Sequence, residues 1–314
     1  MTRKRIIRVS VSLILAAAAF VYGLRLVESA MTFHPSRMAA AQEIPSGAED
    51  ISFNSTDGTR LNGWFFASHS KPEVATMIFF HGNGGNISNV GWLARRFSKH
   101  GFNVLIFDYR GYGRSDGVAA NESDLYADGD AAVDFVMSKK GVRPEQIVLY
   151  GHSLGTTIVA DVASRRIVGA VVLESGFSSA SSVASSALPW LPRFLHFLGK
   201  NRFESARKLN SVKAPILIAH GDPDHTIPTS EAQLLYAAAN EPKKLLIVPG
   251  AGHVVSVRPA NSTWTRLSSL FANRSRFHGE ARFRRDGLSR DVIADANLNL
   301  VLARFKIATV EQAR

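Results

Sequence analysis

A serine, a histidine and a pair of aspartates lie far apart in this chain, each where an apolar run gives way to a loop of small residues. The serine is the most sharply defined of them. Ile147-Val148-Leu149-Tyr150 ends in Gly151-His152-Ser153-Leu154-Gly155, and a helix-compatible segment from Thr156 to Arg166 follows. A G-x-S-x-G pentapeptide between strand and helix predicts a turn so tight that a Cβ at either glycine would clash with the neighbouring strand and helix, leaving the Ser153 hydroxyl above the sheet edge. The N–H of Leu154 falls in the first turn of the helix, where it has no intrahelical partner and can face a developing oxyanion. Alone, such a pentapeptide also serves as a plain turn. Nucleophilic chemistry needs a later acid and histidine, and a second oxyanion donor earlier in the chain.

All three appear. The apolar run Pro215–Ala219 delivers His220-Gly-Asp-Pro-Asp-His-Thr-Ile-Pro228, in which Asp222 and Asp224 are both candidate acids and either can instead cap a helix from Thr229. The last strand-like run, Lys244–Val248, is followed by Gly250-Ala-Gly-His253. A histidine among small residues just past a strand end, after a serine elbow and an acidic turn, is a candidate base. Before the elbow, Val74–Phe80 runs into His81-Gly-Asn-Gly-Gly-Asn86, whose glycines let the backbone bend close to a ligand and aim the amide of Asn83 above Ser153. This loop has neither the Lys-Ser/Thr of a phosphate-binding P-loop nor G-x-G-x-x-G spacing, which argues against a nucleotide. His81 reads as a structural residue fixing the loop. Asp108 and Asp116, in Asp108-Tyr-Arg-Gly-Tyr-Gly-Arg-Ser-Asp-Gly117, precede the serine among arginines and read as scaffold.

The elements that must position these loops alternate. Ile51–Asn54 and Leu61–Phe66 predict a hairpin around Asp57-Gly58. Continuous apolar strands (74–80, 102–107, 146–150, 167–173, 215–219, 244–248) are separated by helical patterns such as Asn89–His100 and Leu125–Lys139. Two-sided apolar strands between helices predict an α/β fold with a mostly parallel sheet and helices on both faces. Residues 174–210 break the rhythm. Their serine-rich start and apolar Leu188–Leu198 suit either a short lid insertion over the strand ends or an ordinary surface helix pair.

At 314 residues the chain is large enough for one α/β domain with a substantial core, or for two small domains. No cysteine is present, which excludes disulfides and thiolate metal sites. The net charge of +11 belongs to the two ends, through Arg3, Lys4, Arg5 and Arg8 and through an arginine-rich tail beyond 257, so no nucleic-acid partner is expected for the body. Behind the first cations, Val9–Leu24 is uncharged and largely apolar, extendable to Val27 if Arg25 snorkels. This predicts an uncleaved membrane anchor over about 9–27, with the N-terminus cytoplasmic and the domain on the opposite, extracytoplasmic side. Secretion after signal cleavage is the alternative. Phe33–Arg37 and Ala39–Glu49 read as a linker.

Taken together, HGNGGN (81–86), DYRGYGRSDG (108–117), GHSLG (151–155), HGDPDHTIP (220–228) and GAGH (250–253) resemble the α/β-hydrolase superfamily, and most closely its membrane-tethered, serine-aminopeptidase-like serine hydrolases. The resemblance covers about residues 32–273. It implies an α/β-hydrolase fold at 31–273 with a lid at about 175–210, after an N-terminal anchor (1–30) and before a basic tail (274–314). It further implies Ser153 as nucleophile, Asp224 rather than Asp222 as acid, His253 as base, the amides of Asn83 and Leu154 as oxyanion hole, and no cofactor. The expected substrate is a small-molecule or lipid-like acyl ester or thioester. Amide hydrolysis of the aminopeptidase kind, or a non-catalytic binding module, are the rivals. Val254–Arg258 and the tail depart from the family pattern.

Overall fold

A computed structural model describes residues 3–38, 43–69, 73–187, 190 and 200–255 of the chain. Helix α1 (Arg3–Thr32) leads into a two-residue strand, β1 (His34–Pro35). The body follows with β2 (Ala48–Asn54), β3 (Arg60–Phe66), β4 (Ala75–Phe80), β5 (Gly84–Gly85), α2 (Ile87–Lys99), β6 (Phe102–Phe107) and α3 (Glu122–Lys139). Then come β7 (Ile147–His152), α4 (Leu154–Arg165), β8 (Ala170–Glu174), α5 (Ala180–Ala187), α6 (Ser205–Leu209), β9 (Ile216–Gly221), α7 (Ser230–Ala238) and β10 (Lys243–Val248).

The main sheet runs in the order β10-β9-β8-β7-β4-β6-β3-β2. The pairs from β6 to β10 are parallel, and β3 joins β6 and β2 antiparallel. Strand alternation feeds two cores. Ile78, Phe80, Leu105, Phe107, Ile147 and Leu149 face one side, packed with Leu125 and Val133 of α3 and Ile158 of α4. Met77, Phe79, Val104, Ile106, Val148 and Tyr150 face the other, against Leu93 and Phe97 of α2. Side chains buried on both faces explain why these strands read as unbroken apolar runs.

Helix starts are fixed by side chains. Asn86 caps α2 in a reciprocal box with Asn89, and Asn121 caps α3 in the same way with Asp124. The 108–117 loop is built on buried charge, as expected of a scaffold. Arg110 donates to Asp128 at 2.7 Å and to Asp57 at 2.6 Å, which ties α3 to the tip of the β2–β3 hairpin. Burial pushes the Asp108 carboxyl up to about 7, although it accepts the Ile87 amide at 2.9 Å.

Several expectations are corrected. The strand predicted from Ile167 starts at Ala170; Ile167 is exposed, and Gly169 turns in against the Glu145 carbonyl, where a Cβ would sit 2.2 Å from the oxygen. The linker reading of Phe33–Arg37 fails, because His34 and Pro35 pair in parallel with Gly84 and Gly85. The predicted anchor lies within α1, yet among the described residues no helix is long and apolar enough to cross a membrane. Apart from Trp190, the apolar stretch expected beneath the lid (188–198) lies outside the described residues, as does everything beyond 255, including the basic tail.

Candidate active site

Ser153 occupies the turn between β7 and α4 with φ 51° and ψ −118°, a left-handed backbone unusual for a residue with a side chain. Its neighbours enforce the strain. A Cβ on Gly155 would lie 2.1 Å from the Phe80 carbonyl oxygen in β4, and one on Gly151 would lie 2.6 Å from the Gly155 carbonyl oxygen. Hydrogen bonds hold the turn from both sides: the Ser153 amide donates to Glu174 at 2.9 Å, and the Thr156 hydroxyl donates to the Ser153 carbonyl at 2.6 Å. Strain of this kind, held by packed surroundings, is what a pre-set nucleophile requires.

The parallel register then brings the other loops to the same sheet edge. β4 and β7 end side by side, so the 81–86 loop lies over the elbow. A Cβ on Gly82 would lie 3.0 Å from the His152 ring and 3.5 Å from the Ser153 Cβ. Asn83 follows directly, and its side-chain oxygen accepts the His34 amide at 3.0 Å and the Tyr112 hydroxyl at 3.1 Å. No backbone hydrogen bond described between loops and turns uses the amide of Asn83 or of Leu154. Leu154 is the first residue of α4, so its N–H has no carbonyl a turn earlier.

Asp224 is buried after β9 and engages both carboxylate oxygens. Oδ1 accepts the amides of Thr226 (2.8 Å) and Ile227 (2.9 Å). Oδ2 lies 2.8 Å from His253 Nδ1 and 3.2 Å from His220 Nε2. Burial pushes this carboxyl up, but the Ile227 amide, the His253 ring and the Thr226 amide more than offset it, and the net shift is downward. Asp224 is therefore ionised near neutrality and acts only as an acceptor, so His253 carries its proton on Nδ1 and presents a lone pair at Nε2. Burial and the charge of nearby His152 draw the His253 pKa down against the pull of Asp224, and the net direction is down. Asp222 is exposed and instead accepts the Gly250 amide at 2.5 Å, bracing the loop that carries the histidine.

His253 reaches the elbow through its neighbour. His152 Nε2 donates to the His253 carbonyl at 3.1 Å, and the two rings stand 5.1 Å apart. No hydrogen bond joins the Ser153 hydroxyl to His253 among the described residues; such contacts are often long before substrate arrives. The structure thus joins Asp224 to His253 directly, and brings Ser153, the Asn83 loop and His253 together around His152.

Sequence reasoning passed over three contributors. His152 occupies the variable position of the pentapeptide and gave no signal. His220 is buried beneath Asp224, where Nε2–H donates to the Ile227 carbonyl at 2.9 Å and leans on the carboxylate. Its place four residues before Asp224 was the available clue. Tyr112, from the scaffold loop, holds Asn83. His81 is structural, as expected: its Nδ1 bonds the Gly82 carbonyl at 2.7 Å, and burial depresses its pKa to about 4. Among the described residues no group of three or more His, Asp or Glu side chains is arranged to hold a metal ion.

Comparisons with known proteins agree with this architecture. Residues 75–214 match the family model described as the alpha/beta hydrolase fold. The uncharacterized protein YfhR of Escherichia coli is 36% identical over 222 residues, which covers 67% of this chain and 75% of that protein. The mouse alpha/beta hydrolase domain-containing protein 17C is 33% identical over 207 residues, 66% of this chain and 62% of its own. Among solved structures, the Pyrococcus furiosus esterase Pf2001 superposes with a TM-score of 0.57 at 21% identity, covering 70% of this chain and 91% of that one. By sequence relationship and by fold, the chain belongs to the α/β-hydrolase family.

Proposed function

We propose that the protein is a serine hydrolase that cleaves ester or thioester bonds of acyl, lipid-like substrates through an acyl-enzyme. The observation that carries this reading is the 2.8 Å contact from His253 Nδ1 to a buried Asp224, on a loop fastened to the strained Ser153 elbow. His253 Nε2 takes the hydroxyl proton as Ser153 Oγ bonds to the carbonyl carbon. The carbonyl oxygen becomes an oxyanion facing the amides of Asn83 and Leu154, each such donor contributing about 3 kcal/mol to the barrier reduction. As the tetrahedral centre collapses, the bond to the alkoxide or thiolate breaks and His253 returns the proton to the leaving group. Water, deprotonated by His253, then adds to the acyl-enzyme and releases the carboxylic acid and the serine. Asp224 holds the imidazole in the required tautomer and stabilises its cation.

The apolar, exposed side chains of Leu13, Ile14, Leu15, Phe20 and Tyr22 on α1, preceded by four cations, support a proposal that this helix keeps the enzyme at a lipid surface without spanning it. Acyl substrates are then close at hand. The test is a series of p-nitrophenyl esters of increasing chain length beside aminoacyl anilides, with full-length protein. Turnover of the esters is expected. Turnover of the anilides alone would replace the esterase reading with a peptidase one, and inactivity on both classes would count against either.

A further inference from the structure

Residues 33–38 precede the body of the fold and lie across the two loops that matter most to the oxyanion hole. The loop at 82–85 is unusual in what it lacks. Three of its four residues are glycines, which have no side chain to lock them and the greatest backbone freedom to lose. An oxyanion donor acts only if its N–H is already aimed when charge develops. Something outside the loop must hold it.

Tyr112 holds the Asn83 side chain from the scaffold loop and His81 holds the Gly82 carbonyl, and the remaining holding contacts come from the 33–38 segment. β1 lies parallel to β5, with His34 opposite Gly84 and Pro35 opposite Gly85. The His34 amide donates to the Asn83 side-chain oxygen at 3.0 Å, and the Ser36 amide to the Gly85 carbonyl at 3.4 Å. The Asn86 side chain donates back to the Ser36 carbonyl at 3.2 Å. The far end of the segment is fixed to the 108–117 loop. The Gly113 amide donates to Ser36 at 2.9 Å, the Met38 amide donates to Gly113 at 3.2 Å, and Arg37 donates to the carbonyls of Ser115 and Gly117. Its near end is anchored by buried Phe33, which packs edge-on against Phe203 at 6.3 Å.

We infer that residues 33–38 are a positioning strap for the oxyanion hole, acting through the hydrogen bond from the His34 amide to the Asn83 side chain. The inference rests on the serine-hydrolase reading, because only then does the direction of the Asn83 N–H matter to rate. The strap follows α1 directly, so the segment that joins the N-terminal helix to the body also sets the geometry of catalysis. A chain trimmed beyond residue 38 loses that setting with every proposed triad residue in place.

The test uses full-length protein and two variants. Asn83→Ala removes the carbonyl that both the strap and Tyr112 hold but keeps the backbone N–H. His34→Pro removes the donor on the strap side. Active sites are counted by fluorophosphonate titration, so that turnover is expressed per competent Ser153 and misfolded molecules do not enter. The expected result for both variants is a fall in kcat of about 10- to 100-fold, with KM within about threefold, and a matching fall in the rate of fluorophosphonate labelling. That is the scale expected when a catalytic group is displaced by about 1 Å. Unchanged kcat in either variant would overturn the strap, as would a rise in KM with kcat preserved, which would make the segment a substrate contact. Failure of the parent reading looks different: the wild-type protein itself would take up no probe at Ser153.

Discussion

Replacing Asp224 by asparagine changes one atom in a site where every position is already assigned. Oδ1 must stay an acceptor, because the Thr226 and Ile227 amides at 2.8 and 2.9 Å can only donate. The new NH2 is therefore forced into the Oδ2 position, 2.8 Å from His253 Nδ1. Two donors cannot face each other there. His253 escapes by moving its proton to Nε2, which leaves Nδ1 to accept from the amide and abolishes the lone pair that Ser153 needs. The fold is expected to survive, since the turn keeps its two backbone bonds. The loss is therefore in kcat, by about 10⁴-fold at neutral pH, equivalent to about 5 kcal/mol, the size of effect known for a triad forced into the wrong tautomer. Asp222→Asn is the matched control. Its Oδ1 accepts the Gly250 amide, a bond an asparagine oxygen reproduces, and kcat is expected to change by less than about threefold. Ester turnover for the two variants side by side, with circular dichroism to check the fold, decides the matter. An Asp224→Asn enzyme within about tenfold of wild type, or an Asp222→Asn enzyme more impaired than it, would refute the reasoning.

Three further outcomes rest on the electrostatics. His253 must be neutral to act as base, and its pKa lies below the ordinary 6.5, so kcat/KM is expected to rise with pH to a plateau with an apparent pKa below 6.5. Burial is the largest cause, but the His152 side chain adds to it electrostatically; His152→Gln is therefore expected to move the acid limb to higher pH in a pH–rate profile, and a shift to lower pH would contradict the assignment. Asp108 behaves in the opposite sense on stability. Its carboxyl, raised from 3.8 to about 7 by burial, is protonated in the folded chain at a pH where the unfolded chain has ionised it. Stability from this group is thus fully present below about pH 4 and is lost as pH rises through about 7, by about 4 kcal/mol in all. Asp108→Asn should remove that slope in denaturant titrations at pH 4 to 8, and an unchanged slope would count against it.

The parts of the site readable in advance were those whose requirements are local. Gly151 is demanded by the Gly155 carbonyl within the same turn and Gly155 by the Phe80 carbonyl of the neighbouring strand β4, so the pentapeptide announces a turn packed tightly against the sheet. Unbroken apolar strands likewise announce a sheet covered on both faces, because each side chain meets a core. The choice between Asp222 and Asp224 was not local. Two residues apart in one turn, their types leave both open, and the family resemblance pointed to Asp224; in the folded turn Asp224 faces the Thr226 and Ile227 amides and His253 while Asp222 braces Gly250. The strap was illegible for a sharper reason: it pairs a histidine and a proline with two glycines through backbone groups, leaving no hydrophobic period to betray a strand. The N-terminal run was read from apolar composition alone, and among the described residues no helix is long and apolar enough to cross a membrane.

The central claim is that Ser153 is a nucleophile armed by His253. Intact-mass and peptide-mapping analysis of protein treated with a fluorophosphonate addresses it directly. The expected result is a single adduct on Ser153 in the wild-type chain, none in Ser153→Ala, and labelling slowed by orders of magnitude in His253→Ala. An adduct on any other residue, or equal labelling of the wild-type and Ser153→Ala proteins, would contradict it.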